Sequence, residues 1–254
     1  MVAPCPRCDV EAPPEPLWIH VAEPGAFVEG REAELLELLE DRERERHGRI
    51  RPVEVRQQFL AAHALLRQSL SSQVDVPPQT WRFGEGPHGK PHLTAPSQVP
   101  CPWFSLSHTR GLVLCALSWA GPVGVDAERF DRRARVDDLI PRVCSADEQG
   151  SLAGLQDGDL RGAFFRRWVL KEALLKALGT GLTIPAATVS FALEPARLLA
   201  LPPEASDRPW QVGLLELTED HAAAWAVESR RPTALQVGWA DQSRPRRTAS
   251  TSPL

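Results

Sequence analysis

The chain has 254 residues, 43% of them hydrophobic, and a formal net charge of -4. That length fits one large domain or two smaller ones, and the apolar fraction excludes global disorder. The acidic balance argues against a dedicated nucleic-acid binder, and no apolar run is long enough to cross a bilayer.

Residues 1–16 are Pro-rich and read as a flexible segment. They carry no basic stretch followed by an apolar one, so the expected location is cytoplasmic. Cys5 and Cys8 form a lone CxxC, without the second pair or histidines that a zinc site needs. Residues 17–22 alternate as a first strand. Residues 31–47 read as one charged helix with Leu35, Leu36, Leu38 and Leu39 on its apolar face. Pro52 opens a second helix to Ser71, with Val55, Phe59, Ala62, Leu66 and Leu70 at helical spacing. His63 on it reads as packed or exposed rather than as a ligand.

Residues 81–93 are turn chemistry: Gly84, Gly86 and Gly89 with Pro87 and Pro91 around Lys90. Such a loop suits a surface hairpin or a ligand-presenting lysine, and composition does not choose between them. An alternating segment from Phe104 contains Ser107 and His108. Gly111 turns the chain into the apolar strand 112–119, and Gly121-Pro122 turns it again.

Residues 123–128 (VGVDAE) read as a short strand. Val123, Val125 and Ala127 share one face; Gly124, Asp126 and Glu128 share the other. Two carboxylates side by side either flank a strand end in solvent or hold a divalent cation, for which Mg2+ suits hard oxygen ligands. Residues 129–135 form a basic loop, Ser145 a helix N-cap, and 160–178 the longest helix, stopped by Gly179. On that helix Trp168, Glu172 and Lys176 fall on one stripe. Alone, Glu172 and Lys176 make an ordinary helix ion pair. With Asp126, Glu128, Lys171 and His108 they form an inventory for metal-assisted transfer from a polyphosphate donor. Strands follow at 188–193, 210–217, 221–228 and 234–239, and a polar tail from Asp241. The order of elements fits an α+β fold of two similar halves, 17–120 and 121–240, with flexible ends at 1–16 and 241–254.

Four segments, Gly89-Lys90-Pro91, Ser105-Leu106-Ser107-His108, Val123–Glu128 and Trp168–Lys176 with Gly179, occur in an order that resembles the 4'-phosphopantetheinyl transferase superfamily. The likeness is to its larger, monomeric (Sfp-like) type, over roughly residues 40 to 180. The Trp…Lys-Glu-Ala form resembles the subgroup that serves broad sets of carrier proteins. The resemblance implies two α+β halves related by a pseudo-twofold axis. It implies transfer of the 4'-phosphopantetheine arm of coenzyme A to a serine of an apo acyl or peptidyl carrier protein, with release of adenosine 3',5'-bisphosphate. By the same resemblance Asp126, Glu128 and Glu172 hold Mg2+, with Mn2+ as an alternative. Glu172 or an ordered water takes the serine proton, and Lys176 and Lys171 contact phosphate oxygens. Ser107 and His108 bind the 3'-phosphate, and Gly89, Lys90 and Pro91 line the adenine end. Arg46 or Arg51 meets the nucleotide phosphates. A carrier surface is expected from Arg132, Arg133, Arg135, Arg161, Arg166 and Arg167, with Leu139, Ile140 and Val143 for an apolar contact. The expected partners are coenzyme A and a carrier protein, with no nucleic acid or membrane, and the chain is expected to act as a monomer. Two other readings use the same residues: a metal-dependent nucleotide pyrophosphohydrolase, and a non-catalytic module that binds coenzyme A or a carrier.

Overall fold

Alternating apolar residues in the strands give each sheet two buried faces, and the fold places a helix against one face of each. The computed structural model describes residues 13–86, 90–130 and 135–240. Cys5, Cys8, Gly89, Arg132, Arg133 and the tail 241–254 lie outside the described residues.

The first half runs β1 (Glu15–Ala22), α1 (Pro24–Val28), α2 (Glu32–Glu37), α3 (Asp41–Arg49), α4 (Val53–Ser71), β2 (Arg82–Glu85), β3 (Pro91–Ala95), β4 (Trp103–Thr109) and β5 (Leu112–Ser118). The second runs β6 (Val123–Arg129), α5 (Val136–Val143), α6 (Ala146–Leu152), α7 (Asp157–Leu178), β7 (Ser190–Leu193), β8 (Ala196–Ala200), β9 (Trp210–Leu215), β10 (His221–Glu228) and β11 (Thr233–Trp239). One sheet has the order β11-β1-β5-β4 and the other β6-β10-β9; β2-β3 and β7-β8 are separate hairpins. β1 pairs antiparallel with β5 and β5 with β4, just as β6 pairs antiparallel with β10 and β10 with β9. The halves therefore repeat one topology, and β11 crosses back to lie parallel to β1.

Leu17, Ile19, Val21, Leu112, Leu114 and Ala116 of one sheet meet Val123, Val125, Ala127, Ala223 and Val227 of the other in a shared core. The outer face of the first sheet packs on α4, that of the second on α7. The layers are helix, sheet, sheet, helix.

Two expectations need correction. The charged segment 31–47 is two helices, because Glu40 starts a new one: its side chain and that of Glu43 form a capping box on α3. Leu35 and Leu39 stay buried across the break, which keeps the apolar spacing continuous. Glu15 and Pro16, expected in the flexible segment, are already in β1, paired with Thr233 and Ala234. The glycine- and proline-rich segment, for which composition left two readings open, has flanking strands paired as a hairpin, with Phe83 opposite Leu93 and Glu85 opposite Pro91.

Candidate active site

Strand alternation sends Val123, Val125 and Ala127 into the shared core and turns Gly124, Asp126 and Glu128 toward α7. Gly124 lets the two elements touch: a Cβ there would overlap the Ala173 carbonyl oxygen and sit 2.6 Å from the Ala177 amide nitrogen. The stripe of α7 that meets this face is Trp168, Glu172, Lys176. Trp168 Nε1 donates to Glu128 Oε1 at 3.3 Å, and Lys176 Nζ donates to Asp126 Oδ1 at 2.7 Å. Glu172 stands one turn from each of them on the same stripe. The strand and the stripe thus run past each other with their acids interleaved.

Asp126 is buried. Its Oδ1 accepts from Lys176 and, at 2.9 Å, from the Ser107 hydroxyl. Its Oδ2 is also buried and has no hydrogen-bond partner among the described residues. An orphaned carboxylate oxygen next to Glu128 and opposite Glu172 is a hard, oxygen-only donor set, which fits a Mg2+-type cation. Among the described residues no three metal-ligating side chains are gathered around one point. Lys176 is the cation that neutralises Asp126 here, and it also reaches Val125 O (3.2 Å) and Leu106 O (3.4 Å).

β4 and β6 lie edge to edge without a backbone ladder. Serine hydroxyls take its place: Ser105 Oγ accepts from Val125 N (3.2 Å) and Ser107 Oγ from Ala127 N (3.3 Å). Ser107 is therefore not beside His108 at a phosphate, as expected. Adjacent strand residues face opposite ways, so Ser107 is spent on Asp126 and the junction between halves, while His108 faces outward.

His108 lines a cavity of about 450 Å3 walled by α3, α4, β4 and the β2-β3 hairpin. Arg42, Arg46, Phe59, His63 and Pro91 also line it. Its Nδ1 is 2.8 Å from Gln58 Nε2. Burial, reinforced by nearby Lys176, pushes the imidazole below its ordinary value, so it is neutral when no anion is present. Lys90 donates to the Lys176 carbonyl at 2.6 Å, in the last turn of α7, and is itself pushed down by burial and by Lys176. It lines a smaller cavity of about 160 Å3 that shares Pro91 and Leu106 with the first. Of the two expected arginines, Arg46 lines the large cavity; Arg51, exposed between α3 and α4, does not. Arg42, one turn before Arg46, was missed, though its i, i+4 spacing from Arg46 was visible. His63, read as packed or exposed, faces the cavity.

Lys171 is a second correction. It is wholly buried on the far side of α7, where Nζ donates to Glu148 Oε2 (2.5 Å), Val143 O, Ala186 O and Val189 O. Adjacent helix residues lie about 100° apart, so the neighbour of Glu172 cannot share its pocket. Arg167 is likewise buried, bonded to Ser151 Oγ and Ala163 O, and Val143 belongs to the core. Arg135 and Arg142, at the two ends of α5 with half-buried Leu139 and Ile140 between them, remain exposed, as does Arg166 on α7.

The model of the 4'-phosphopantetheinyl transferase superfamily matches residues 122–226. The chain is 33% identical over 177 residues to the 4'-phosphopantetheinyl transferase HetI of Nostoc sp., covering 68% of this chain and 71% of that one. It is 33% identical over 146 residues to slr0495 of Synechocystis sp., covering 58% of this chain and 59% of that one. The chain thus spans between 59% and 71% of the length of these relatives. A solved holo-(acyl-carrier-protein) synthase of Bacillus anthracis str. Ames, in complex with CoA (3',5'-ADP), aligns with 43% of this chain and 96% of that one, at 20% identity and a TM-score of 0.38.

Proposed function

The chain belongs to the 4'-phosphopantetheinyl transferase superfamily, and from that premise we propose that it moves the phosphopantetheine arm of coenzyme A onto a carrier-protein serine. The serine oxygen bonds to the β-phosphorus of the coenzyme A pyrophosphate. The bond from that phosphorus to the bridging oxygen breaks, adenosine 3',5'-bisphosphate leaves, and the serine proton passes to Glu172. One observation carries the reading: the Lys176–Asp126 pair sits at the junction of the halves, with His108 and Arg46 on an adjoining cavity.

Phosphoryl-type transfer asks for positioning and charge neutralisation rather than a protein nucleophile. Lys176 neutralises oxygens of the pyrophosphate. His108 and Arg46, with Arg42, hold the nucleotide phosphates, and Lys90 and Pro91 border the adenine. Asp126, Glu128 and Glu172 would hold Mg2+, or Mn2+, which when bound neutralises charge on the pyrophosphate and the departing nucleotide. The halves 17–120 and 121–240 each supply one wall of the site, Lys90 and His108 from one and Asp126 and Lys176 from the other. This supports a monomer as the working unit. Free thiols at Cys101, Cys115 and Cys144 suit the cytoplasm. The carrier docks over α5, where Arg135 and Arg142 offer positive charge to an acidic helix.

The test incubates the protein with coenzyme A, Mg2+ and a panel of apo-carriers. A mass gain of one phosphopantetheine with matching nucleotide release supports transfer. Release without a carrier points to a pyrophosphohydrolase, and binding without either product to a non-catalytic module.

A further inference from the structure

Phe164, Trp168 and Glu172 follow one another at four-residue steps on α7, so two rings and an acid share one stripe. The half-buried Trp168 ring is pinned. It stacks on buried Phe164 with centroids 6.3 Å apart and planes 20° from parallel, and it packs against the core beneath α7. A phenyl ring would meet both demands. The indole adds one thing that packing does not need, an N–H that only donates. That N–H points across the contact between helix and strand, and lies 3.3 Å from Glu128 Oε1.

Asp126, two residues earlier on β6, is also held by one oxygen. Its Oδ1 accepts from the Ser107 hydroxyl at 2.9 Å and from Lys176 Nζ at 2.7 Å. An ionised carboxylate oxygen accepts two such bonds, so Oδ1 is filled and the buried Oδ2 is the oxygen left for a cation. Bidentate chelation needs both oxygens of one carboxylate on the same ion. Asp126 cannot give both while Ser107 and Lys176 fill Oδ1, and the indole N–H ties Glu128 against turning both of its oxygens to an ion. Cations differ in that need. Mg2+ is octahedral and takes single oxygens from one or two carboxylates, with water and phosphate completing its shell. Ca2+ is larger, takes more ligands and commonly chelates a carboxylate through both oxygens.

We propose that Trp168 is a positioning residue whose indole N–H restrains Glu128 to ligation through one oxygen, and so biases the site toward Mg2+ over Ca2+. This rests on the metal assignment within the transferase reading and adds what chooses the ion. A hydrogen bond from N–H to a carboxylate is charge-assisted, so it persists as the acid takes up a cation through its other oxygen. Ser107 and Lys176 restrain Asp126 in the same way, but Ser107 also joins the halves and Lys176 also reaches Val125 O and Leu106 O. Trp168 is the one whose polar group can be removed while its packing stays.

The test titrates Mg2+ and Ca2+ calorimetrically into wild type and W168F, with excess coenzyme A and no carrier, so that nothing is transferred. Losing the partner that orients a ligand should weaken Mg2+ about tenfold. Ca2+, now able to take both Glu128 oxygens, should bind as well as before or better, so the preference for Mg2+ should fall by at least about tenfold. Equal weakening of both ions, which a merely loosened helix would give, overturns the assignment. So does a preference that stays or rises in W168F, and so does a wild type that binds neither ion. If W168F does not fold, wild type and E128A carrying isotope-labelled tryptophan decide by NMR. One indole N–H should lose its protection from solvent exchange in E128A, and the same N–H should stay protected in wild type at saturating Mg2+. No such signal, or loss of its protection when Mg2+ is added, overturns the assignment. A preference lost in W168F, with no transfer to any carrier by wild type, keeps the ion determinant and removes the transferase reading. Transfer by wild type with a preference unchanged in W168F does the reverse.

Discussion

The hydroxyl of Ser107 on β4 lies 2.9 Å from Oδ1 of Asp126 on β6, while its oxygen accepts from the Ala127 amide. One side chain therefore both joins the two halves and aims a carboxylate of the site. Ser105 joins the halves in the same way, through the Val125 amide, but makes no hydrogen bond to Asp126, although it lines the small cavity with Lys90 and Lys176. Removing either hydroxyl leaves a buried N–H unpaired, which costs about 1–3 kcal/mol. S105A and S107A should thus lower the thermal midpoint by similar amounts. Only S107A should also reduce turnover measured on the folded protein. Equal turnover in the two variants would remove Ser107 from the site.

His108 sets a pH dependence whose sign follows from its burial. In the free protein the ring is neutral at pH 7, its pKa lowered by burial and then by Lys176. A bound phosphate favours the imidazolium and raises that pKa, so binding takes up a proton between the free and bound values. Coenzyme A should therefore bind more weakly as pH rises through the bound value, by up to about tenfold per pH unit. Calorimetry in two buffers of different ionisation enthalpy should show proton uptake at pH 7, and less of it in H108A. Without ligand the sign reverses. The unfolded chain then binds the extra proton, so this residue lowers stability as pH falls below its ordinary value of 6.5.

The acids of β6 and the Trp168-Glu172-Lys176 stripe were legible because period two and period 3.6 each put them on one face. Opposite orientation of Ser107 and His108 follows from the same alternation, and only their closeness in sequence argued otherwise. Lys171 was not legible. α7 is packed by the sheet on one side and by α5, α6 and β7 on the other, so polarity on the helix does not say which side holds the ligand. His63 hid for a different reason: the carboxylate that orients it, Glu43, is on another helix, twenty positions away. The break between α2 and α3 escaped because Leu35 in α2 and Leu39 in the break itself are both buried, which keeps helical spacing through it.

Lys171→Met separates a structural lysine from a phosphate ligand. The ammonium holds the ends of α5 and the turn before β7 through three carbonyls, and it neutralises buried Glu148. Glu148 in turn caps α6 and accepts from the Phe191 amide. Removing one partner of a buried pair costs about 3–5 kcal/mol, because the other charge is left uncompensated. K171M should unfold at much lower denaturant concentration, while KM for coenzyme A in the fraction still folded stays near that of wild type. K171M combined with Glu148→Gln should recover part of the stability. A large rise in KM without loss of stability would return Lys171 to the phosphates.

Gly124→Ala tests whether close contact of β6 and α7 assembles the site. The added methyl meets backbone on α7, at the Ala173 carbonyl and the Ala177 amide, and backbone cannot swing aside as a long side chain can. The strand must back away from the helix. That separates Asp126 from Lys176 and Glu128 from Trp168, which are joined only across this contact. Overpacking of this kind costs about 1–3 kcal/mol. The loss in transfer should exceed that of a generally destabilised protein, because site geometry tolerates little displacement: about 1 Å can cost 10²-fold. Gly162, on α7 with open space around its Cβ position, supplies the control. G162A should hold or raise the thermal midpoint, as alanine favours helix by about 1 kcal/mol, and leave transfer intact. A folded G124A that transfers at the wild-type rate would mean that the acids of β6 need no contact with α7 to do their work.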